Sequence, residues 1–506
     1  MGVGRGVGGD VLVRRGGVGH ACTVERFHPS HSPVLTSWAG KGRGAVRLGA
    51  RAVRPGCACT RDNRCVTTAP AAPARPAPAT SSGGFWRRHA ALLLPAGDRV
   101  PGVDLARGLA ILGMFAAHVG VTSDDFSTGD GWLSLVHGRS SILFAVIAGV
   151  SLALVSGRHT PLTGVPALQA RTRILVRAVL LLALAGVLDL LGTPVALILG
   201  FYAAYFVLAL PFLRWAPRRL FGLALVIAVV GPVLVHWLPE VLLRAELSIP
   251  FDGSGALTDF LLTGHYPALV WMAYVLVGLG VGRLDLTSQR LQRRLLGLGA
   301  GLALGAYLLS ALFTGTTLTQ VLAGSGRAAL IQERAMDASG LYQLEPLPWT
   351  APLPTSDYLW LAGPHTDTTL EVLGSGGFAL AVLGLCLLLG ARRPVLRVLA
   401  PLAAVGSMAL TVYCLQIVAI WAWEDPLMTG TGNGEVLLLV VASLVFATVW
   451  RWSFGRGPLE RFVGWVAGRA ASITPSAAPP DDPSPTRRDA APTAQPTPGG
   501  DVQSGA

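Results

Sequence analysis

The chain has 506 residues, 52% hydrophobic and only 13% charged, and its mean hydropathy is +0.54. A soluble domain carries about 25% charged residues, so the composition excludes an ordinary soluble enzyme of this length. The net charge of +12 does not mark a nucleic-acid-binding surface, because residues 1–100 hold 14 arginines and Lys41 against 4 acidic residues, and the rest of the chain is nearly neutral.

Residues 1–99 are rich in Gly, Ala, Pro and Arg and are expected to be a disordered basic extension. Such a segment suits anionic headgroups; a start assigned too far upstream is a second reading. No apolar stretch follows the charges near Met1, so no signal peptide is expected. Cys57, Cys59 and Cys65 match no ordinary zinc spacing, while Cys386 and Cys414 lie in apolar runs and read as core residues. Neither a metal site nor a disulfide is expected.

From Val103 to Trp452, apolar runs near the roughly 20 residues needed to cross a bilayer recur with short polar breaks. Spans are predicted at 103–121, 140–156, 174–191, 195–213, 220–238, 266–282, 295–313, 371–390, 403–423 and 435–451. The expected fold is an all-α polytopic integral membrane bundle of about ten transmembrane helices over residues 100–465, in a bacterial inner membrane. Residues 466–506 form a disordered cytoplasmic tail. Cytoplasmic loops carry the arginine excess, and Arg158, Arg171, Arg173, Arg214, Arg218, Arg283, Arg290, Arg392 and Arg456 fall on alternate breaks. Asp124, Asp130, Glu240, Asp259, Glu345 and Asp357 fall on the others, which places both termini inside.

The breaks at 239–265 and 314–370 exceed simple turns. The second carries Trp349, Tyr358 and Trp360, suited to an interfacial cap or a lid. Gly297, Gly301 and Gly305 repeat every four residues, as do Gly278 and Gly282, which predicts close helix approach on those faces.

Ionisable groups at membrane depth are functional candidates. His118, His137, His236, His265 and His365 all fall at the extracytoplasmic ends of predicted spans, which predicts a polar outward cavity around imidazoles, the usual acid–base groups. His118 lies deepest, and His137 sits in His137-Gly138-Arg139-Ser140-Ser141, where a cation and two hydroxyls suit an anionic or hydroxylated ligand. Asp189 is placed to answer one of these histidines; Tyr202 and Tyr205 read as interhelical hydrogen-bonding groups. At the opposite face Asp104 and Arg107, three apart, share a helix face and pair, and a planar guanidinium there suits a phosphate or carboxylate.

The segment Val103-Asp104-Leu105-Ala106-Arg107-Gly108-Leu109-Ala110-Ile111-Leu112-Gly113-Met114 resembles the opening of the YeiB-like bacterial membrane family, a domain of unknown function. Arg139-Ser140-Ser141-Ile142-Leu143-Phe144 fits that family's second-span entrance. Gly406-Ser407-Met408-Ala409-Leu410-Thr411-Val412-Tyr413 resembles its late-helix motif, with Ser407 where Arg is common. Gly455-Arg456-Gly457-Pro458-Leu459-Glu460 resembles its C-terminal signature. The first-span pattern is also similar to heparan-alpha-glucosaminide N-acetyltransferase-like proteins. That resemblance implies transfer of an acyl group from cytoplasmic acyl-CoA, such as acetyl-CoA, to an extracytoplasmic sugar amine or hydroxyl, with a histidine involved. That family's histidine lies ahead of a Trp in the first outer loop, and Ser127 to Trp132 here contains none. His118 or His137 then becomes the catalytic candidate, with Arg139, Ser140, His265, His365 and Gln416 toward the acceptor and Asp104 and Arg107 toward the acyl donor.

The primary expectation is therefore a transmembrane acyltransferase acting on a cell-envelope glycan or small acceptor. A secondary transporter or exporter of a small polar molecule is the alternative, with Pro194, Pro211 and Pro232 as helix interruptions. A non-catalytic membrane component is the third reading.

Overall fold

Proline at the first position of a helix loses no hydrogen bond, and Pro101 opens the first described helix, which is mostly buried. The computed structural model describes residues 99–245, 256–337, 355–423 and 432–472; the basic extension, Cys57, Cys59, Cys65, Glu345, Trp349 and the tail beyond 472 lie outside them. Within these residues the chain forms helices α1 (Pro101–Val119), α2 (Arg139–Val155), α3 (Gly164–Asp189), α4 (Ile198–Ala209), α5 (Pro217–Arg244) and α6 (Ala268–Gly282). They are followed by α7 (Gln289–Thr314), α8 (Thr369–Gly390), α9 (Ala400–Ser407), α10 (Ala409–Ala422), α11 (Gly434–Phe454) and α12 (Pro458–Ala470), and no strand occurs among the described residues.

All the predicted segments are helical. Among the described residues five helices (α1, α5, α7, α8 and α11) are long and apolar enough to cross a membrane, and α9 with α10 makes a sixth if the bent pair is one span. The apolar helices α2 and α6, and α4 with its 3-10 extension to Arg214, are shorter. Helix α3 starts at Gly164, so Arg171, Arg173 and Arg177 project from a helix and not from a loop. The described parts of the break at 314–370 are likewise structured, with helices Leu318–Ala323 and Arg327–Asp337 and a 3-10 turn at Ser356–Trp360. Leu182, Val187, Leu225, Val229, Leu437 and Val445 are exposed on the helices, the outward apolar surface of a bundle solvated by lipid.

Close approach depends on glycine, but only partly where the sequence places it. Gly278 and Gly282 have no room for a Cβ against Val146 and Ala153, and Gly149 has none against Val275, so α2 and α6 touch backbone to backbone. Gly297, Gly301 and Gly305 meet nothing. The face of α7 that packs carries Gly299, against Gly377 and Ala381 of α8. A four-residue repeat defines a stripe without specifying whether that stripe finds a partner.

The segment predicted as a straight span at 403–423 is broken at Met408, with 83° between α9 and α10. Gly406 there lies so close to Asp104 and Gly108 of α1 that a Cβ has no space. A break frees backbone groups on both sides, and two charged side chains take up part of the deficit. Arg107 donates from Nη1 to Gly406 O (3.2 Å) and to Asp104 Oδ1 (3.1 Å), and from Nη2 to Ser151 Oγ (2.9 Å). Glu460 accepts from Thr411 N–H (3.0 Å) and from Thr411 Oγ1 (2.7 Å) at the start of α10. Arg107, Gly406 and Glu460 come from three of the sequence motifs quoted above, which meet at this one place.

Candidate functional site

Two cavities lie along α1. Arg107, Met114 and His118 are separated by seven and four residues, which puts them within about 20° of one helical stripe and Arg107 about 16 Å below His118. The stripe therefore joins an arginine end to a histidine end.

The histidine cavity has a volume of about 230 Å³ and is lined by His118, His137, His265 and His365 together with Ser141 and Tyr266, among others. The rings of His265 and His365 lie 4.4 Å apart, and those of His137 and His365 lie 6.0 Å apart. The Gln416 side-chain amide from α10 sits 2.9 Å from His118 Nδ1 and fixes that ring. His137 Nδ1 is buried without a hydrogen-bond partner. His265 is exposed. No carboxylate lines this cavity among the described residues.

His365 is held by a loop under backbone constraint. It has φ 58° and Asp367 has φ 50°, left-handed values that non-glycine residues adopt at a cost. Glu371, buried at 2% exposure in the first turn of α8, accepts His365 N–H (2.8 Å), Asp367 N–H (2.6 Å) and Thr366 Oγ1–H (3.3 Å). Trp271 Nε1–H donates to Asp367 Oδ1 (2.9 Å). Burial first, then the Glu371 carboxyl, raises Asp367 above the ordinary carboxylate range, so this pair favours holding a proton.

The arginine cavity, about 430 Å³, is lined by Arg99, Arg107, Arg177 and Arg456 and by the apolar side chains of Phe144, Ile147, Leu199 and Phe206. Glu460 also borders it. Arginine is the side chain best shaped for phosphate oxygens, and an apolar wall beyond the charges suits the uncharged part of the same ligand. Met114 and Ile198 line both cavities.

Of the residues singled out in the sequence, His118, His137, His265, His365 and Gln416 come together. Arg139 does not join them. Its guanidinium is buried, donating to Tyr307 Oη (2.7 Å), Ser134 O (2.9 Å) and Leu322 O (3.1 Å), and it stacks over the Tyr307 ring. It ties α2 to α7 and to the helix Leu318–Ala323 and does not line the histidine cavity. Ser140 turns back to Val136 O (2.8 Å), and its neighbour Ser141 is the one that borders the cavity. Asp189 is exposed at the end of α3 and answers no histidine. His236 stacks on Tyr358, 4.8 Å between rings, and Trp360 stacks on Phe313, so these aromatics brace the outer segment. Arg107 reaches the arginine cavity, with Asp104 behind it as its ion-pair partner. Tyr202 makes the expected interhelical bond, to Ser141 O of α2 (3.1 Å), whereas Tyr205 bonds Tyr266 O (2.6 Å) in the segment just before α6.

Burial lowers the imidazole pKa of His137 and of His365, with Arg139 adding to the first and His265 and His137 to the second. The folded state therefore holds both rings neutral. Their contribution to stability is present above the unfolded value of about 6.5 and is lost as pH falls below it toward the depressed folded values. The thermal midpoint of the detergent-solubilised protein is expected to fall as pH drops from 7.5 to 5. His365→Gln should flatten that slope in a thermal-shift titration.

Residues 99–309 match the family model described as heparan-alpha-glucosaminide N-acetyltransferase, catalytic. Residues 361–469 match that described as protein of unknown function, DUF418. Comparison with curated proteins and with solved structures gives no match. The first match carries α1 to α6 with the stripe from Arg107 to His118, and the second carries Glu371, the helix break and Glu460.

Proposed function

We propose that this protein is a transmembrane acetyltransferase-like enzyme that moves an acyl group from acyl-CoA, bound at the arginine end, to an amine or hydroxyl acceptor at the histidine end. The observation that carries the reading is that an arginine-lined and a histidine-lined cavity lie along one stripe of α1 and share Met114, and Ile198 of α4, in their walls. In this reading the bundle crosses a bacterial inner membrane about ten times with both termini inside, the arginines facing the cytoplasm and the histidines facing out. Arg99, Arg107, Arg177 and Arg456 hold the nucleotide phosphates. The extended pantetheine arm covers the roughly 16 Å of helix rise between Arg107 and His118, so nucleotide and thioester occupy different cavities.

Chemistry then follows from the histidine end. The acceptor nitrogen or oxygen attacks the thioester carbonyl carbon, a C–N or C–O bond forms, the C–S bond breaks, and CoA leaves as the thiolate. The acceptor proton passes to His118 Nε2. That role needs the tautomer in which Nδ1–H donates to the Gln416 amide, with the amide oxygen turned toward the ring. His137, His265 and Ser141 are left to orient the acceptor by hydrogen bonds.

The broken α9–α10 pair also invites comparison with transporters, whose interrupted helices point their free ends at substrate. Here Arg107 and Glu460 engage one freed carbonyl and one freed N–H at the break, which favours a fixed wall for the donor cavity. The test is transfer of label from radiolabelled acetyl-CoA to a glucosaminide by the purified full chain. Arg177→Ala, which removes a cavity cation without touching the helix break, is expected to raise the KM for acyl-CoA about tenfold, the value of one charged hydrogen bond. Absence of label on any acceptor, with unmodified solute accumulating in proteoliposomes, would give the exporter reading its place.

A further inference from the structure

A third cavity, of about 250 Å³, lies between the start of α7 and the end of α8 and shares no lining residue with the two described above. Gln289, Gln292, Arg293, Arg392 and the leucines Leu385 and Leu388 are in its wall. Gly102 of α1 has no room for a Cβ against Leu387, and Gly390 has none against Gly102, so this end of α8 packs on the start of α1. The cavity therefore lies on the same side of the bundle as Arg107.

Its polar groups suit an anion that also carries a hydrogen-bond donor. Arg293 and Arg392 are exposed, and neither has a carboxylate within ion-pair distance among the described residues. Gln289 is the first residue of α7, so the positive end of that helix dipole stands beside them. The opposing carbonyl end of α8 is partly engaged, because Ala391 N–H donates to Leu387 O (3.1 Å) and Arg392 N–H to Leu389 O (3.1 Å). Gln292, 2% exposed, donates from Nε2 to Leu286 O (2.8 Å). That bond fixes which way the amide points and leaves Oε1 buried with no partner. A buried acceptor of this kind calls for an O–H or N–H. One turn back along α8, Leu385 is 43% exposed, so the wall runs on into surface that faces lipid.

We infer that this cavity holds the phosphoglycerol headgroup of an anionic phospholipid, a site independent of the acyl-transfer reading. The phosphodiester lies between the guanidiniums of Arg293 and Arg392, whose planar forks match its oxygens. A headgroup hydroxyl donates to Gln292 Oε1, and an acyl chain follows Leu388 and Leu385. Basic pockets between helices at a membrane face hold such headgroups. No acidic residue lines the cavity among the described residues, so a choline or ethanolamine cation finds no counter-charge and a glycerol head is preferred.

The test takes the purified full chain, stripped of lipid in an uncharged detergent, and counts bound molecules by native mass spectrometry. The probes are dioctanoyl phosphatidylglycerol, the corresponding phosphatidylcholine and phosphatidylmethanol, and glycerophosphoglycerol, which is the same head without acyl chains. Phosphatidylglycerol is expected to fill one site with at least tenfold higher affinity than phosphatidylcholine or glycerophosphoglycerol. The double variant Arg293→Ala with Arg392→Ala should weaken it at least tenfold, at roughly fivefold for each arginine near a headgroup. Arg290→Ala with Arg294→Ala removes the same charge from exposed positions of α7 outside the cavity and should stay within twofold of wild type. Gln292→Leu should narrow the preference for phosphatidylglycerol over phosphatidylmethanol, which has no headgroup hydroxyl, by about fivefold. Equal losses in the two double variants would make the binding a general charge effect, and loss in neither would put the lipid elsewhere; either result overturns the site. Equal affinity for phosphatidylcholine overturns the headgroup assignment, and glycerophosphoglycerol binding as tightly as the lipid overturns the lipid as its source.

Discussion

Replacing His118 by alanine is expected to lower the turnover of acyl transfer by about 10²–10⁴-fold, the usual worth of a positioned general base, with the KM for acyl-CoA changed only a few fold. Two features make His118 the group with the largest expected effect. It lies on the same stripe as Arg107 and Met114, so it stands where a donor threaded along α1 presents its thioester. Among the described residues it is also the one cavity histidine with a side-chain hydrogen-bond partner that can fix its tautomer, the Gln416 amide at 2.9 Å. His137→Ala removes a ring with a free buried Nδ1 and should act more through the acceptor KM. Gln416→Leu removes the orienting amide and should lower turnover by a smaller factor with donor affinity retained. Steady-state kinetics of the folded variants separate these effects. Turnover of His118→Ala within threefold of wild type would falsify the assignment of the base.

The helices were legible because each predicted span is a continuous apolar run, and a run of that length has no other stable form in lipid. The break at Met408 was hidden for the same reason. Residues 403–423 carry no charge and no proline and are mostly apolar, and what bends them is the close seat of Gly406 on α1 together with Arg107 and Glu460 from distant parts of the chain. The histidines could be named because ionisable groups near span ends stand out, yet their convergence depends on how α1, α2, α6 and α8 pack. Arg139 illustrates the limit. Beside His137 in sequence it reads as a ligand group, but it opens α2 one turn position away and its guanidinium points into α7. Glu371 was overlooked although a signal existed. An acidic residue at the start of an otherwise apolar span is costly unless bonded, and Thr368 followed three residues later by Glu371 is a capping pattern. Thr368 Oγ1 indeed accepts Glu371 N–H (3.1 Å).

The second large effect is expected at that residue. Glu371→Ala leaves the N–H groups of His365 and Asp367 without their acceptor, while the Thr366 hydroxyl keeps Gly363 O at 3.1 Å. A buried donor left unsatisfied costs about 1–3 kcal/mol, so the variant should lose on the order of 3–5 kcal/mol. The loop would then be free to leave its left-handed φ values, because the carboxylate that fixes them is gone. His365 would move with it, and its contact with His265 would be lost. Glu371→Gln keeps one carbonyl acceptor but turns an NH₂ toward a backbone donor, so it should fall between alanine and wild type. Asp367→Asn keeps an acceptor for Trp271 Nε1–H and should cost least. The measurement is chemical unfolding in detergent, paired with reactivity of His365 toward an imidazole-modifying reagent in variants that remain folded. If Glu371→Ala unfolds at the wild-type midpoint and His365 stays protected, the loop is held by its own turns and Glu371 is not its anchor. The outcome matters for the site because Glu371 lies in the DUF418 region and His137 and His265 lie in the acetyltransferase-matching region. A destabilised loop with a loosened histidine cavity would mean that the two regions build one site together.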